Sequence, residues 1–112
     1  MNWNVAGALL MAAAVALGAF GAHGLRGRLD AYSMGVYEKA VFYHFIHALG
    51  ILLAARFPAV CWLLLAGIVF FSGSLYLLAV TGNRMLGAIT PIGGVCFIAA
   101  WLWLAWSHLS RS

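Results

Sequence analysis

Charge is confined to a few places in this chain, and the long gaps between them limit what it can fold into. No Asp, Glu, Lys or Arg occurs in Val5–Ala22, Ala40–Ala55, Ala59–Val80 or Leu86–Trp106. Each gap approaches the roughly 20 apolar residues that a helix needs to cross a ~30 Å hydrocarbon core. Hydrophobic residues make up 66% of the chain and charged residues 7%, which excludes an ordinary soluble domain. The expected architecture is an all-α membrane protein with four transmembrane helices in an antiparallel up-down bundle. The spans are placed at about 5–22, 38–56, 58–80 and 86–107, as a single four-span domain over 1–112.

Those spans leave no segment for a soluble catalytic or nucleic-acid-binding unit. The formal charge of +4 does not point to nucleic acid either, because Arg26, Arg28, Lys39, Arg56, Arg84 and Arg111 are scattered singly at span ends. They read as interfacial anchors, with the lipid bilayer as partner. Met1-Asn2-Trp3-Asn4 lacks the basic flank of a signal peptide, so the first apolar stretch is expected to be a retained span. Cys61 and Cys96 fall at depths differing by roughly 10 Å in antiparallel helices, which argues for apolar filler rather than a disulfide.

The connections define the threading. Pro58 suits the first turn of span three, giving a tight hairpin after Arg56, and Gly82-Asn83 can end span three and turn the chain. The stretch 29–37 reads as an interfacial extension of span two. Four crossings bring Trp3, Trp62, Trp101, Trp103 and Trp106 toward one side and Tyr32, Tyr37, Tyr43 and Tyr76 toward the other, as interfacial aromatic belts require. The tyrosine side holds Arg26, Arg28, Lys39 and Arg84, so the positive-inside rule places it in the cytoplasm and both termini in the periplasm.

Lipid gives helices no hydrophobic reason to associate, so small residues and polar bonds must bring them together. Gly7, Met11, Ala14, Gly18 and Gly21 form one stripe on span one, and Gly87, Thr90, Gly94 and Phe97 form another on span four. These are expected packing faces, serving the bundle itself or else a homo-oligomer or other membrane proteins. Pro91 lacks an N–H and crowds the carbonyl of Gly87, so span four is expected to be broken there.

Polar side chains within the spans gather in the tyrosine half: His23, Tyr43, His44, His47, Ser72, Ser74, Tyr76 and Thr90. Ionisable groups at membrane depth are functional hypotheses by default. One reading is a polar cavity around His47, lined by Tyr43, Ser72, Ser74, Tyr76 and Thr90, that takes a proton, ion or small polar solute. The other is an interhelical hydrogen-bond cluster that fixes the bundle. No metal site is expected, since His44 and His47 have no Asp, Glu or Cys beside them and match no specific ligand motif. No cofactor motif is present either, and no nucleophile stands with a base, so no catalytic residue is assigned.

Gly18-Ala19-Phe20-Gly21-Ala22-His23-Gly24-Leu25, Tyr43 with His47-Ala48-Leu49, Phe71-Ser72-Gly73-Ser74-Leu75-Tyr76 and Thr90-Pro91-Ile92-Gly93-Gly94 resemble the YgdD-like family. These are small bacterial inner-membrane proteins of undefined function, and the likeness runs one block per span, in order. The resemblance implies a multi-pass inner-membrane protein and supplies no substrate, cofactor or catalytic residue. The family pattern more usually carries glutamine where this chain has His44, which leaves His47 as the better candidate. The expected role is non-enzymatic, in interaction, assembly or membrane maintenance, with solute binding or transport around His47 as the alternative.

Overall fold

The computed structural model describes residues 1–110; Arg111, assigned above to an interface, lies outside them. The described residues are almost entirely helical and contain no strand: α1 (Trp3–Phe20), α2 (Ala31–Leu53), α3 (Pro58–Gly67), α4 (Gly73–Thr81) and α5 (Thr90–Leu109). Two π-turns, Gly21–Leu25 and Ile68–Ser72, extend α1 and join α3 to α4, and a 3-10 turn, Arg84–Ala88, precedes α5.

Local chemistry accounts for the helix ends. The Asn2 side chain accepts from the N–H groups of Asn4 and Val5 at 3.0 and 3.2 Å, and Asp30 accepts from Ser33 N–H at 2.7 Å. Pro58 occupies the first turn of α3, where its missing N–H costs nothing. The hairpin before it is closed by Phe57 N–H and the Cys61 thiol, both donating to Ala54 O at 2.8 and 3.1 Å. Both cysteines are free. Gly82 adopts φ +74 at the end of α4 and donates to Leu78 O, a left-handed cap.

The expected extension of span two is seen and the expected break in span four moves. α2 begins at Ala31, so 29–37 belongs mostly to a regular helix that carries Gly35 without a break. Pro91 lies in the first turn of α5. The interruption expected inside span four therefore falls at its start, where the 3-10 turn hands over to α winding. Among the described residues, three helices are long and apolar enough to cross a membrane: Trp3–Leu25, Pro58–Thr81 and Arg84–Leu109. α2, which carries Glu38 and Lys39 as well as His44 and His47, is not one of them.

α1 packs along α2, α2 along α3 and α4, and α5 along α3 and the second π-turn. α1 packs mainly on α2, with Trp3 also meeting Trp62 of α3 at 4.9 Å, and α5 packs mainly on α3 and the second π-turn while Phe97 and Trp101 reach His47 of α2. The buried core joins Ala48, Ile51 and Ala54 of α2 to Val60, Cys61 and Leu64 of α3 and to Phe97 and Ala100 of α5. Large apolar side chains such as Leu9, Val15, Phe42, Leu77, Ile98 and Leu102 point outward. A soluble monomer rarely exposes so much contiguous apolar surface.

Glycine sets how closely these helices approach. A Cβ added at Gly7, Gly18 or Gly21 would lie 2.8 Å from Leu52, 3.3 Å from Val41 or 2.4 Å from Tyr37, all on α2. The span-one stripe thus faces α2, with α1 residues rising as α2 residues fall, and Ala14 is buried in the same stripe. On α5 the closest approach is at Gly93, whose Cβ would lie 2.3 Å from Phe71 N and 2.8 Å from Phe70 C. Gly94 and Gly87, singled out from the sequence, keep 3.9 Å from Phe71 and 3.6 Å from Leu78.

Candidate functional site

Among the described residues, the polar candidates other than His23 gather in three hydrogen-bonded sets. The first is built on His47 of α2, which is 4% exposed. Its Nδ1 is 2.8 Å from Tyr43 O, and its Nε2 is 3.0 Å from Trp101 Nε1 on α5. A carbonyl only accepts and an indole N–H only donates. His47 is therefore the Nδ1–H tautomer, donating to Tyr43 O and accepting from Trp101, with both ring nitrogens used. Phe97 stacks on the imidazole at a centroid distance of 3.5 Å and 11° between planes.

The second set is built on His44, also 4% exposed, whose Nδ1 is 2.9 Å from the Tyr76 hydroxyl of α4. Its Nε2 is buried without a hydrogen-bond partner. Tyr76 also meets Tyr37 edge-on at 5.4 Å, and the Tyr37 hydroxyl donates to Leu17 O on α1. That carbonyl lies where α1 gives way to its π-turn: the Gly21 N–H is shared between Leu17 O and Gly18 O. Gly21 is what lets the Tyr37 ring come this close to α1.

The third set surrounds the second π-turn. Ser72, fully buried, donates to Ala40 O of α2 at 2.8 Å. Ser74 donates to Phe71 O at 2.9 Å and lies 2.7 Å from Thr90 Oγ1 on α5. A hydroxyl carries one proton, so in that pair Thr90 is the donor. The π-turn is thus tied to α2 through Ser72 and pressed against Gly93 of α5.

Of the sequence candidates, His23 stands apart, exposed on the first π-turn. The remainder do not line one polar cavity. A cavity of about 500 Å³ does open beside His47 and Tyr43, but its other walls are Phe42, Ile46, Phe71, Gly94, Phe97, Ile98 and Trp101. Ser72, Ser74, Tyr76 and Thr90 are not among them, and the walls are apolar and aromatic. Among the described residues no three His, Cys, Asp or Glu side chains lie close enough to hold a metal.

Sequence reasoning placed Trp101 and Tyr37 only in the aromatic belts and Phe97 only in a packing stripe, and it missed the two π-turns. Gly93, Phe97, Ala100 and Trp101 do recur at helical spacing on one face. Nothing in that spacing distinguishes this face from the neighbouring one carrying Gly94.

Residues 17–94 match the family described as "Protein of unknown function (DUF423)". The chain is 51% identical over 108 residues to the UPF0382 membrane protein SH2409 of Staphylococcus haemolyticus, covering 89% of this chain and 88% of that one. It is 46% identical over 108 residues to the UPF0382 membrane protein YwdK of Bacillus subtilis, covering 88% of each. It belongs to the DUF423/UPF0382 membrane-protein family. No solved structure matches it. The DUF423 match takes in both histidine positions of α2, the second π-turn and Gly93, and ends before Phe97 and Trp101.

Proposed function

We propose that this DUF423 protein is a four-pass, YgdD-like inner-membrane protein that works without catalysis, in interaction, assembly or membrane maintenance. Its intramembrane polar groups are a helix clamp. The observation that carries this reading is His47, which spends one ring nitrogen on Tyr43 O and the other on Trp101. Protonation or metal binding at Nε2 requires Trp101 to leave. Interhelical hydrogen bonds of this kind contribute about 0.6 kcal/mol each, up to about 1.7. Several together make the helices one unit.

Supporting a fourth crossing, α1 and α2 are antiparallel neighbours from the Gly7–Leu52 contact to the Gly21–Tyr37 contact. A helix packed along that much of α1 shares its depth, and the α2 segment from Ala40 onward carries no charge. Glu38 and Lys39 are exposed toward the end that carries Arg26, Arg28 and Arg84. That basic end supports periplasmic termini. The glycine stripe of α1 is occupied by α2, so a second copy or another membrane protein would meet the outer faces of α1 and α5.

His47→Ala tests the clamp. In detergent its melting temperature should fall, with no change in the masses retained by the intact protein in native mass spectrometry. A variant that melts like wild type but loses a bound species would overturn it. That result would favour the second reading, solute or proton handling, to which the unpartnered His44 Nε2 lends its own support.

A further inference from the structure

The charged residues at the α1–α2 end take no part in the histidine sets, and two of them frame a cleft. Gly18 and Gly21 on one side, and Tyr37, Val41 and Phe45 of α2 on the other, line an apolar space of about 270 Å³. Arg26 and Glu38 border it. Arg26 Nη2 and Glu38 Oε2 are 3.9 Å apart, with side chains 68% and 62% exposed. Neither group is saturated at that distance, since a guanidinium offers five N–H donors and a carboxylate about four acceptor sites. An exposed pair contributes little to stability, so it can rearrange around a third group at small cost.

The border of the cleft therefore presents a cation and an anion side by side, next to an apolar space that flanks the α1–α2 contact. A zwitterionic headgroup with a primary ammonium has the complementary pattern, and an acyl chain has the complementary body. We propose that this cleft binds phosphatidylethanolamine, with an acyl chain in the apolar groove that flanks the α1–α2 contact, the phosphate on Arg26 and the ammonium on Glu38. The inference rests on the membrane-embedded reading of α1 and α2 given above, which brings Arg26 and Glu38 to headgroup depth. Charge-assisted bonds of both signs then give selectivity. Phosphatidylglycerol brings a phosphate but leaves Glu38 facing an anion without compensation. Phosphatidylcholine carries a quaternary ammonium with no N–H to donate.

The test is native mass spectrometry of the full chain in detergent with equimolar phosphatidylethanolamine, phosphatidylglycerol and phosphatidylcholine. Wild type is set beside Arg26→Gln, Glu38→Gln and Ala22→Phe, the last intruding on the cleft wall. Wild type should retain the ethanolamine lipid about tenfold over the other two, the ratio one charge-assisted bond supplies. Glu38→Gln should level ethanolamine with glycerol, Arg26→Gln should weaken all three lipids, and Ala22→Phe should do the same. Glycerophosphoethanolamine, which lacks acyl chains, should not compete. Equal uptake of the three lipids, a preference untouched by Glu38→Gln, or full competition by the chain-free headgroup would each overturn the proposal. Arg26 and Glu38 are exposed, so lost selectivity at an unchanged melting temperature reports on the cleft. The clamp is read separately, from His47→Ala.

Discussion

Gly93 and Gly94 are adjacent on α5, and one added methyl group at each should have opposite effects. An exposed or loosely packed Gly→Ala change within a helix is favourable by up to about 1 kcal/mol, because alanine loses less backbone freedom. At Gly94 the new Cβ would be 3.9 Å from the Phe71 ring, ordinary contact distance, so that gain should be realised. At Gly93 the same atom would sit 2.3 Å from Phe71 N and 2.8 Å from Phe70 C. These are backbone atoms of the π-turn, which Ser72 fixes to α2 through Ala40 O, so no side chain can swing aside. α5 would have to retreat by about 1 Å, and a gap of that size forfeits a quarter to a half of each contact's dispersion energy. Overpacking of this kind costs about 1–3 kcal/mol, more than the helix propensity returns. Thermal or SDS-induced unfolding in one detergent, followed by circular dichroism, should rank Gly94→Ala at or above wild type and Gly93→Ala clearly below it. Equal stability of the two variants, or the reverse order, would refute the argument and with it the close fit of α5 on the π-turn.

Three further outcomes follow from the same contacts. In a double-mutant cycle, His47→Ala and Trp101→Phe should couple by about 0.6–1.7 kcal/mol in unfolding free energy, and independent effects would mean that the Trp101–His47 bond contributes nothing. Gly21→Ala should lower the melting temperature in wild type and do so much less in a Tyr37→Ala background, where the ring that its Cβ strikes is gone; an equal loss in both backgrounds would place the strain elsewhere. The Ser33 backbone N–H holds the Asp30 carboxyl below its ordinary 3.8. Its contribution to stability is therefore present above that value and lost as pH falls through the lowered folded value. Asp30→Asn keeps a capping oxygen and should flatten the acid limb of a melting-temperature profile, whereas an unchanged limb would assign acid sensitivity to another group.

The apolar helical segments and the turns at Pro58 and Gly82 were legible in the chain because they depend on near neighbours and on composition, whereas the Asn2 and Asp30 caps and the π-turns were not read from it. Pro58 at a helix start and Gly82 where φ must be positive are local requirements, and the charge-free stretches answer to the solvent alone. The polar cluster was legible as a set of residues but not as an arrangement. His44 and His47 lie one turn apart on α2, yet one binds Tyr76 and the other Trp101. Separating those partners needed to know which helix stood on which side.

By itself, then, the sequence determined a chain of apolar helices for a membrane, with its charges at the ends and its small residues available for packing. Tertiary structure alone decided that Gly93 rather than Gly94 receives the π-turn, that Trp101 reaches back 54 residues to His47, and that the glycine stripe of α1 faces α2. The physical reason is angular. Adjacent residues on a helix point about 100° apart, and an apolar chain in an apolar solvent carries almost no periodic signal to say which direction is inward. Only the fit of one backbone against another makes that choice.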